Sequence, residues 1–254
     1  MSVAPDLLMQ FETDEWLVDE SLAPDISHLI TEDDTPVDNI YSSKKQRMFI
    51  EPLYTAPPFD RPFLAEANVA IYSSPNQPPI VPDMFLSLDV TVPDDWYAKR
   101  HRSYLIWEFG KAPEVVIEIV SNREGKEDST KMQTYARIGV RYYVIYDPTQ
   151  QLSNHILRIY ELRGMTYMEL DRFWLEGVGL GLVFWQGVFE QKEDRWLRWC
   201  DENDVLVPTG EEERARAETE RARADSERTR ADSERSRAER LAEQLRKLGL
   251  EPEV

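Results

Sequence analysis

The chain has 254 residues, 41% of them hydrophobic, enough for one well-buried core rather than two large ones. A formal net charge of −18 argues against tight non-specific binding to nucleic acid, because attraction to phosphate comes from clustered Lys and Arg. The longest apolar runs, such as Val115 to Val120, fall far short of the roughly 20 residues that a membrane-spanning helix needs.

Residues 1–38 carry eleven Asp and Glu and no Lys or Arg, so most of the excess negative charge sits there. That composition predicts a poorly ordered arm, or else an acidic arm that covers a basic groove or docks a partner through Phe11 and Trp16. The segment lacks the basic start and compact apolar block of a secretory signal, and the single Cys200 has no Cys or His at zinc-ligand spacing. Both features lead us to expect a cytoplasmic protein, with Cys200 structural.

From Ser42 to Tyr54 a Ser cap precedes Met48, Phe49 and Leu53 on one face, predicting a short helix ended by Pro52 and the Pro57-Pro58 pair. Phe63–Ser73 and Ile80–Val90 read as two neighbouring strands, separated by Pro75, Pro78 and Pro79. Pro113–Ser121 is a third, whose near-continuous apolar character places it centrally with both faces covered. Gly125–Ile138 then reads as a helix, stopped by Gly139, and Arg141–Asp147 as a strand. Strand, helix and strand in that order predict a right-handed βαβ unit with parallel strands. Further strands are expected at His155–Leu162, Thr166–Leu170 and Leu182–Phe189.

Beyond Glu211 a seven-residue repeat begins at Arg214, Arg221, Arg228 and Arg235, predicting a long helix with ion pairs such as Arg214–Glu218 and Arg221–Asp225. A coiled-coil seam needs apolar residues at both seam positions, yet only Leu241, Leu245 and Leu248 supply one. Two readings stay open: a solvated ion-paired helix, or a self-association or partner-docking helix acting through Leu241–Leu248. The chain thus divides into an acidic arm (1–38), an α/β domain (39–205) and a charged helical tail (206–254).

The chemistry-bearing constellation is Asp83 at the head of one strand, Glu118 inside the next and Lys131 on the following helix. Two carboxylates on adjacent strands would make an oxygen-rich site suited to Mg²⁺, which takes few protein carboxylates and keeps several waters. A Lys beside them would stabilise the charge of phosphodiester hydrolysis or orient the water. Glu118 interrupts Val115, Val116, Ile117, Ile119 and Val120, where an ionised carboxylate is costly unless paired or metal-bound. Its structural alternative is a buried salt bridge to Lys131 or an Arg. Alternation puts Val116, Glu118 and Val120 on one face. Lys44, Lys45 and Arg47, and Lys99, Arg100, His101 and Arg102, are basic clusters that could meet phosphate or be solvated loop charge. The three histidines show no ligand spacing.

At these residues the chain resembles the Uma-two family of restriction-endonuclease-like proteins, in the PD-(D/E)xK nuclease superfamily. The likeness is carried by Ile50–Tyr54 (IEPLY), Pro82–Val90 (PDMFLSLDV), Pro113–Ser121 (PEVVIEIVS), Lys131–Val140 and Arg141–Pro148. It implies a mixed β-sheet flanked by helices, a divalent metal (Mg²⁺, with Mn²⁺ able to substitute) and cleavage of DNA by an endonuclease. It maps the family's aspartate onto Asp83 and its strand acid onto Glu118. Where the superfamily lysine normally stands, two residues after Glu118, this chain has Val120. Lys131 resembles the relocated lysine, with Lys126 a less favoured substitute. Glu51 resembles the extra acidic residue that many superfamily members place near the metal. A rival reading keeps the nuclease-like fold without catalysis, as an interaction or nucleic-acid-binding protein; a homodimer is the default assembly.

Overall fold

Helix α1 (Ile40–Thr55) begins two residues before the expected Ser42, because the side chain of Asn39 accepts a hydrogen bond from Ser42 N at 2.9 Å and caps it. Pro52 lies inside the helix instead of ending it. Its carbonyl still accepts from Ala56 N, and its ring joins the buried face with Met48, Phe49 and Leu53. The computed structural model describes Asp25, 39–121 and 130–247. Lys126, Leu248 and the acidic arm apart from Asp25 lie outside the described residues.

The main sheet has six strands: β1 (Phe63–Glu66), β3 (Met84–Leu88), β5 (Val115–Ile119), β6 (Tyr142–Tyr146), β7 (Leu157–Arg163) and β8 (Thr166–Glu169), in the spatial order β1-β3-β5-β6-β7-β8. β5 is internal, antiparallel to β3 and parallel to β6, with helix α3 (Met132–Ile138) between the parallel pair in sequence. All five of its residues are buried, as the apolar run predicts. Its Val115, Ile117 and Ile119 face packs with Phe49, Leu53, Val144 and Trp199. Val116 and Val120, on the opposite face with Glu118, pack with Phe85, Tyr104, Tyr135 and Tyr143.

The single strand expected over Phe63–Ser73 is two strands in different sheets. Asn68 adopts φ +56° and its N–H donates to the Pro82 carbonyl at 3.2 Å, turning the chain out of the main sheet after Glu66. β2 (Ile71–Tyr72) then pairs in parallel with β4 (Tyr104–Leu105), which leads into the short helix α2 (Ile106–Phe109).

A second layer is formed by β9 (Trp174–Leu175), β10 (Leu180–Phe189) and β11 (Lys192–Cys200). β11 is absent from the sequence expectations because its first four residues, Lys-Glu-Asp-Arg, show no apolar alternation. Its hairpin turn is unusual in chemistry too. Glu190 and Gln191 take φ +45° and +62°, a conformation that a two-residue turn normally assigns to Asn or Gly. Glu190 is held there by α1: Lys44 Nζ donates to it at 2.9 Å and Arg47 at 2.6 Å, and the hydrogen bond from Arg47 leads in lowering its pKa to about 2. Trp199 Nε1 donates to the Phe49 carbonyl at 2.8 Å and fixes the rest of the hairpin on α1.

The long helix α4 (Gly210–Lys247) is rooted in this layer by a capping box. Glu212 N donates to Thr209 Oγ1 at 3.3 Å, and Thr209 N donates to Glu212 Oε2 at 2.8 Å. Glu212 also receives both arms of Arg198, at 2.9 and 2.6 Å, and that guanidinium is 1% exposed. From Arg214 to Arg240 every residue is exposed, and the helix is laced by pairs such as Arg223–Glu227, Arg230–Glu234 and Arg235–Glu239. The spacing matches expectation while these particular pairs differ from those read in the sequence. Glu212→Ala strands the buried Arg198 without its carboxylate and removes half of the cap. It should cost about 2 kcal/mol, below the full figure for a buried pair because Glu212 is partly exposed. Urea unfolding measures this, and a change under about 0.5 kcal/mol would contradict the anchoring role.

Candidate active site

Glu118 sits in the middle of β5, fully buried. Lys131 Nζ donates to its Oε2 at 2.7 Å and Tyr135 OH donates to its Oε1 at 2.6 Å. The two donors are four residues apart, so α3 presents them one turn apart on the same side. Burial is the main cause that raises the Glu118 pKa to about 8; the Asp83 charge adds to the rise, while Lys131 and Tyr135 oppose it. Tyr135 is itself pushed well above the usual tyrosine range, by burial first and then by Glu118.

Asp83 stands immediately before β3. Its Oδ2 accepts from Ile119 N at 2.6 Å, one residue beyond Glu118, and its Oδ1 accepts from Gln46 Nε2 at 3.4 Å. Gln46, 4% exposed, is braced in turn by Asn68, with reciprocal bonds of 3.3 Å. Five residues thus gather from four places in the chain: Gln46 of α1, Asp83, Glu118 of β5, and Lys131 and Tyr135 of α3 and its cap. Val120, where a superfamily lysine would stand, is fully buried among apolar neighbours, and the amine that reaches Glu118 comes from α3.

Glu51 is not part of this cluster. Its Oε1 accepts from Gly210 N at 2.7 Å and from Thr55 Oγ1 at 3.1 Å, so its carboxylate serves the start of α4. The first basic cluster is corrected as well. Lys44 and Arg47 are ion-paired to Glu190. Lys45 is 2% exposed, bonded to Tyr146 OH and Asp194, and ringed by Tyr41, Tyr146 and Trp196 at 4.8 to 5.2 Å. Lys99, Arg100 and Arg102 lie on a 3-10 turn (Lys99–His101) and its exit, where Arg102 Nε donates to the Tyr97 carbonyl at 3.1 Å.

Sequence reasoning missed Tyr135 and Gln46 as site residues. For Tyr135 a signal existed, since Lys131 and Tyr135 have one-turn spacing; for Gln46 nothing local marks it. Among the described residues, no three His, Cys, Asp or Glu side chains gather as a metal-holding group, so the acidic part of the site is the pair Asp83 and Glu118.

In this mixed sheet Pro82-Asp83 stands before β3, β5 buries Glu118, and the start of α3 returns Lys131 to it. Residues 42–171 match the family described as "Uma2: Putative restriction endonuclease". The chain belongs to that family. A solved structure, that of a "putative nuclease belonging to DUF820" from Anabaena variabilis, matches at 16% identity, covering 54% of this chain and 71% of its own, with a TM-score of 0.39. Comparison with curated proteins finds no match. Among the described residues, no helix is long and apolar enough to cross a membrane.

Proposed function

We propose that this protein is a divalent-metal-dependent endonuclease that hydrolyses phosphodiester bonds of DNA. The observation that carries the reading is the buried Glu118 carboxylate, held by an amine and a phenol beside a second carboxylate, Asp83. A salt bridge alone would satisfy Glu118; the added acid, which raises its pKa, points to a site that takes a cation.

The donor set fits Mg²⁺, or Mn²⁺ in its place. Two carboxylates are few enough to leave the ion its waters, and each oxygen that accepts one hydrogen bond keeps a second lone pair. Asp83 and Glu118 would hold the ion, which when bound supplies charge to the phosphoryl oxygen and acidity to a water. Tyr135 fixes one oxygen of Glu118, and Gln46 with Ile119 N fixes Asp83, so both acids are oriented before substrate arrives. Lys131, 28% exposed at its side chain, is the group of this cluster that can turn toward a phosphate and offset the charge that develops there. For partners, DNA follows from this reading. Leu241, half exposed, and Leu245 give α4 an edge on which a second copy or a partner helix could dock.

The test is cleavage of DNA by the purified protein with Mg²⁺, with Mn²⁺ and with a chelator. Cutting is expected with either ion and not with the chelator. Asp83→Asn should lower it about a hundredfold or more, since the ion loses one of its two charged ligands. Metal-dependent cutting that persists unchanged in Asp83→Asn would refute the site, and no cutting under any of these conditions would favour a catalytically silent interaction protein.

A further inference from the structure

The sheet face that carries Glu118 has a recess of about 250 Å³ between the end of β1, β3 and the segment from Val92 to Phe109. That is below the roughly 300–1,000 Å³ of cavities that enclose a drug-sized ligand, so it suits a single small ring system. Its walls are aromatic. Phe85 and Tyr104 meet edge to face at 5.1 Å, and Phe109 stacks on Tyr104 at 4.4 Å with 8° between the planes. Trp96 also lines it while remaining 58% exposed.

Two polar groups lining the recess lack partners among the described residues. Ser103 is 4% exposed and its Oγ makes no hydrogen bond, although a buried hydroxyl is normally satisfied. The side chain of Glu66, at the end of β1, makes no hydrogen bond or ion pair with the described residues, and burial pushes its pKa up. Arg102 and His101 lie at the rim, His101 being paired with Asp95 at 2.8 Å. The recess is also tied to the site described above. Asn68, two residues from Glu66, is bonded to Gln46, and Gln46 donates to Asp83.

We infer that this recess binds one unpaired nucleobase of the strand being cut, a base that bears an exocyclic amine, stacked against Trp96 with its amine donating to Glu66. The inference rests on the nuclease reading for the identity of the strand. Its chemistry is that of the recess itself. Aromatic faces accept any base, a carboxylate accepts from an exocyclic amine such as cytosine N4, and thymine offers no such donor. Ser103 Oγ, able to donate or accept, gains a partner at another edge of the ring. A base can enter only when it is out of the duplex, so the ligand is single-stranded or extruded.

The test is equilibrium binding of labelled oligodeoxycytidylate and oligothymidylate of equal length, in chelator so that nothing is cut, to wild type, Glu66→Leu and Trp96→Ala. Wild type is expected to bind the cytosine strand about tenfold more tightly than the thymine strand. Glu66→Leu should bring the two within about twofold, and Trp96→Ala, at an exposed position, should weaken both about tenfold. Absence of binding, equal affinities in wild type, or a preference that survives Glu66→Leu each overturns the inference. Cleavage of the same strands with Mg²⁺ separates the two readings. Base preference without cutting keeps the recess and sinks the nuclease, while cutting without base preference does the reverse.

Discussion

Glu118→Gln is expected to lower metal-dependent DNA cleavage about a thousandfold or more while the protein stays folded. Glutamine keeps the shape of the side chain. Its carbonyl can accept from Lys131, and its amide can donate to the Tyr135 oxygen, so the buried hydrogen bonds survive with the charge removed. What is lost is the charge that would hold the proposed ion. The same substitution should change how metal binding depends on pH. In wild type the Glu118 pKa is raised to about 8, so at neutral pH a cation must displace a proton from the buried acid. Mn²⁺ affinity should therefore rise by up to about tenfold per pH unit between pH 6 and 8 and level off above. In Glu118→Gln it should be weaker and nearly flat. Calorimetric titration across that range measures both, and a wild-type affinity that is flat with pH would remove Glu118 from the metal site.

Lys131→Ala tests the other half of the pair, and its effect should appear in stability as well as activity. The ammonium that the structure pairs with Glu118 disappears, leaving a fully buried acid beside Asp83. Breaking a buried pair costs up to about 3–5 kcal/mol, but here Lys131 is partly exposed and Glu118 is mostly protonated at pH 7, so the loss should be small there and reach about 1 kcal/mol near pH 9. The sign with pH follows from linkage. Glu118 has a folded pKa above its unfolded one, so the native state binds the extra proton, and stability falls as pH rises from about 4.5 through about 8. Removing Lys131 raises the folded pKa further, extending the fall to higher pH. Melting curves at pH 5, 7 and 9 should show wild type and variant converging in acid and separating in base. Parallel profiles would mean that the amine does not compensate Glu118.

Much of this site was legible because its residues break a pattern. A lone acid within Val115–Val120 is conspicuous in any central strand, and Pro82-Asp83 stands at a strand head. Tyr135 was hidden by fitting the pattern too well: on α3 it reads as one more member of an apolar face, and only the fold shows its hydroxyl spent on Glu118. Gln46 and Glu51 share α1, but a separation of five residues turns them about 140° apart around the helix axis. Which of them meets Asp83 depends on how α1 is seated against the second sheet, by contacts such as Trp199 to Phe49 that join residues 150 apart in sequence. The same seating explains why Lys44, Lys45 and Arg47 look like a phosphate-binding cluster in the sequence yet are engaged by β11 and the turn before it. β11 itself was masked by its charged half.

The root of α4 is bonded at once to α1 through Glu51, to β11 through Arg198 and to its own cap through Thr209, so three contacts set its direction where it meets the domain. At about 1.5 Å per residue its 38 residues extend about 57 Å, so a tilt of about ten degrees at the base sweeps the Lys247 end through about 10 Å. Small errors at Glu212 are therefore magnified with distance. The capping box acts as a gun-sight: it aims the leucines at Leu241 and Leu245, and a substitution there would move their target without touching them.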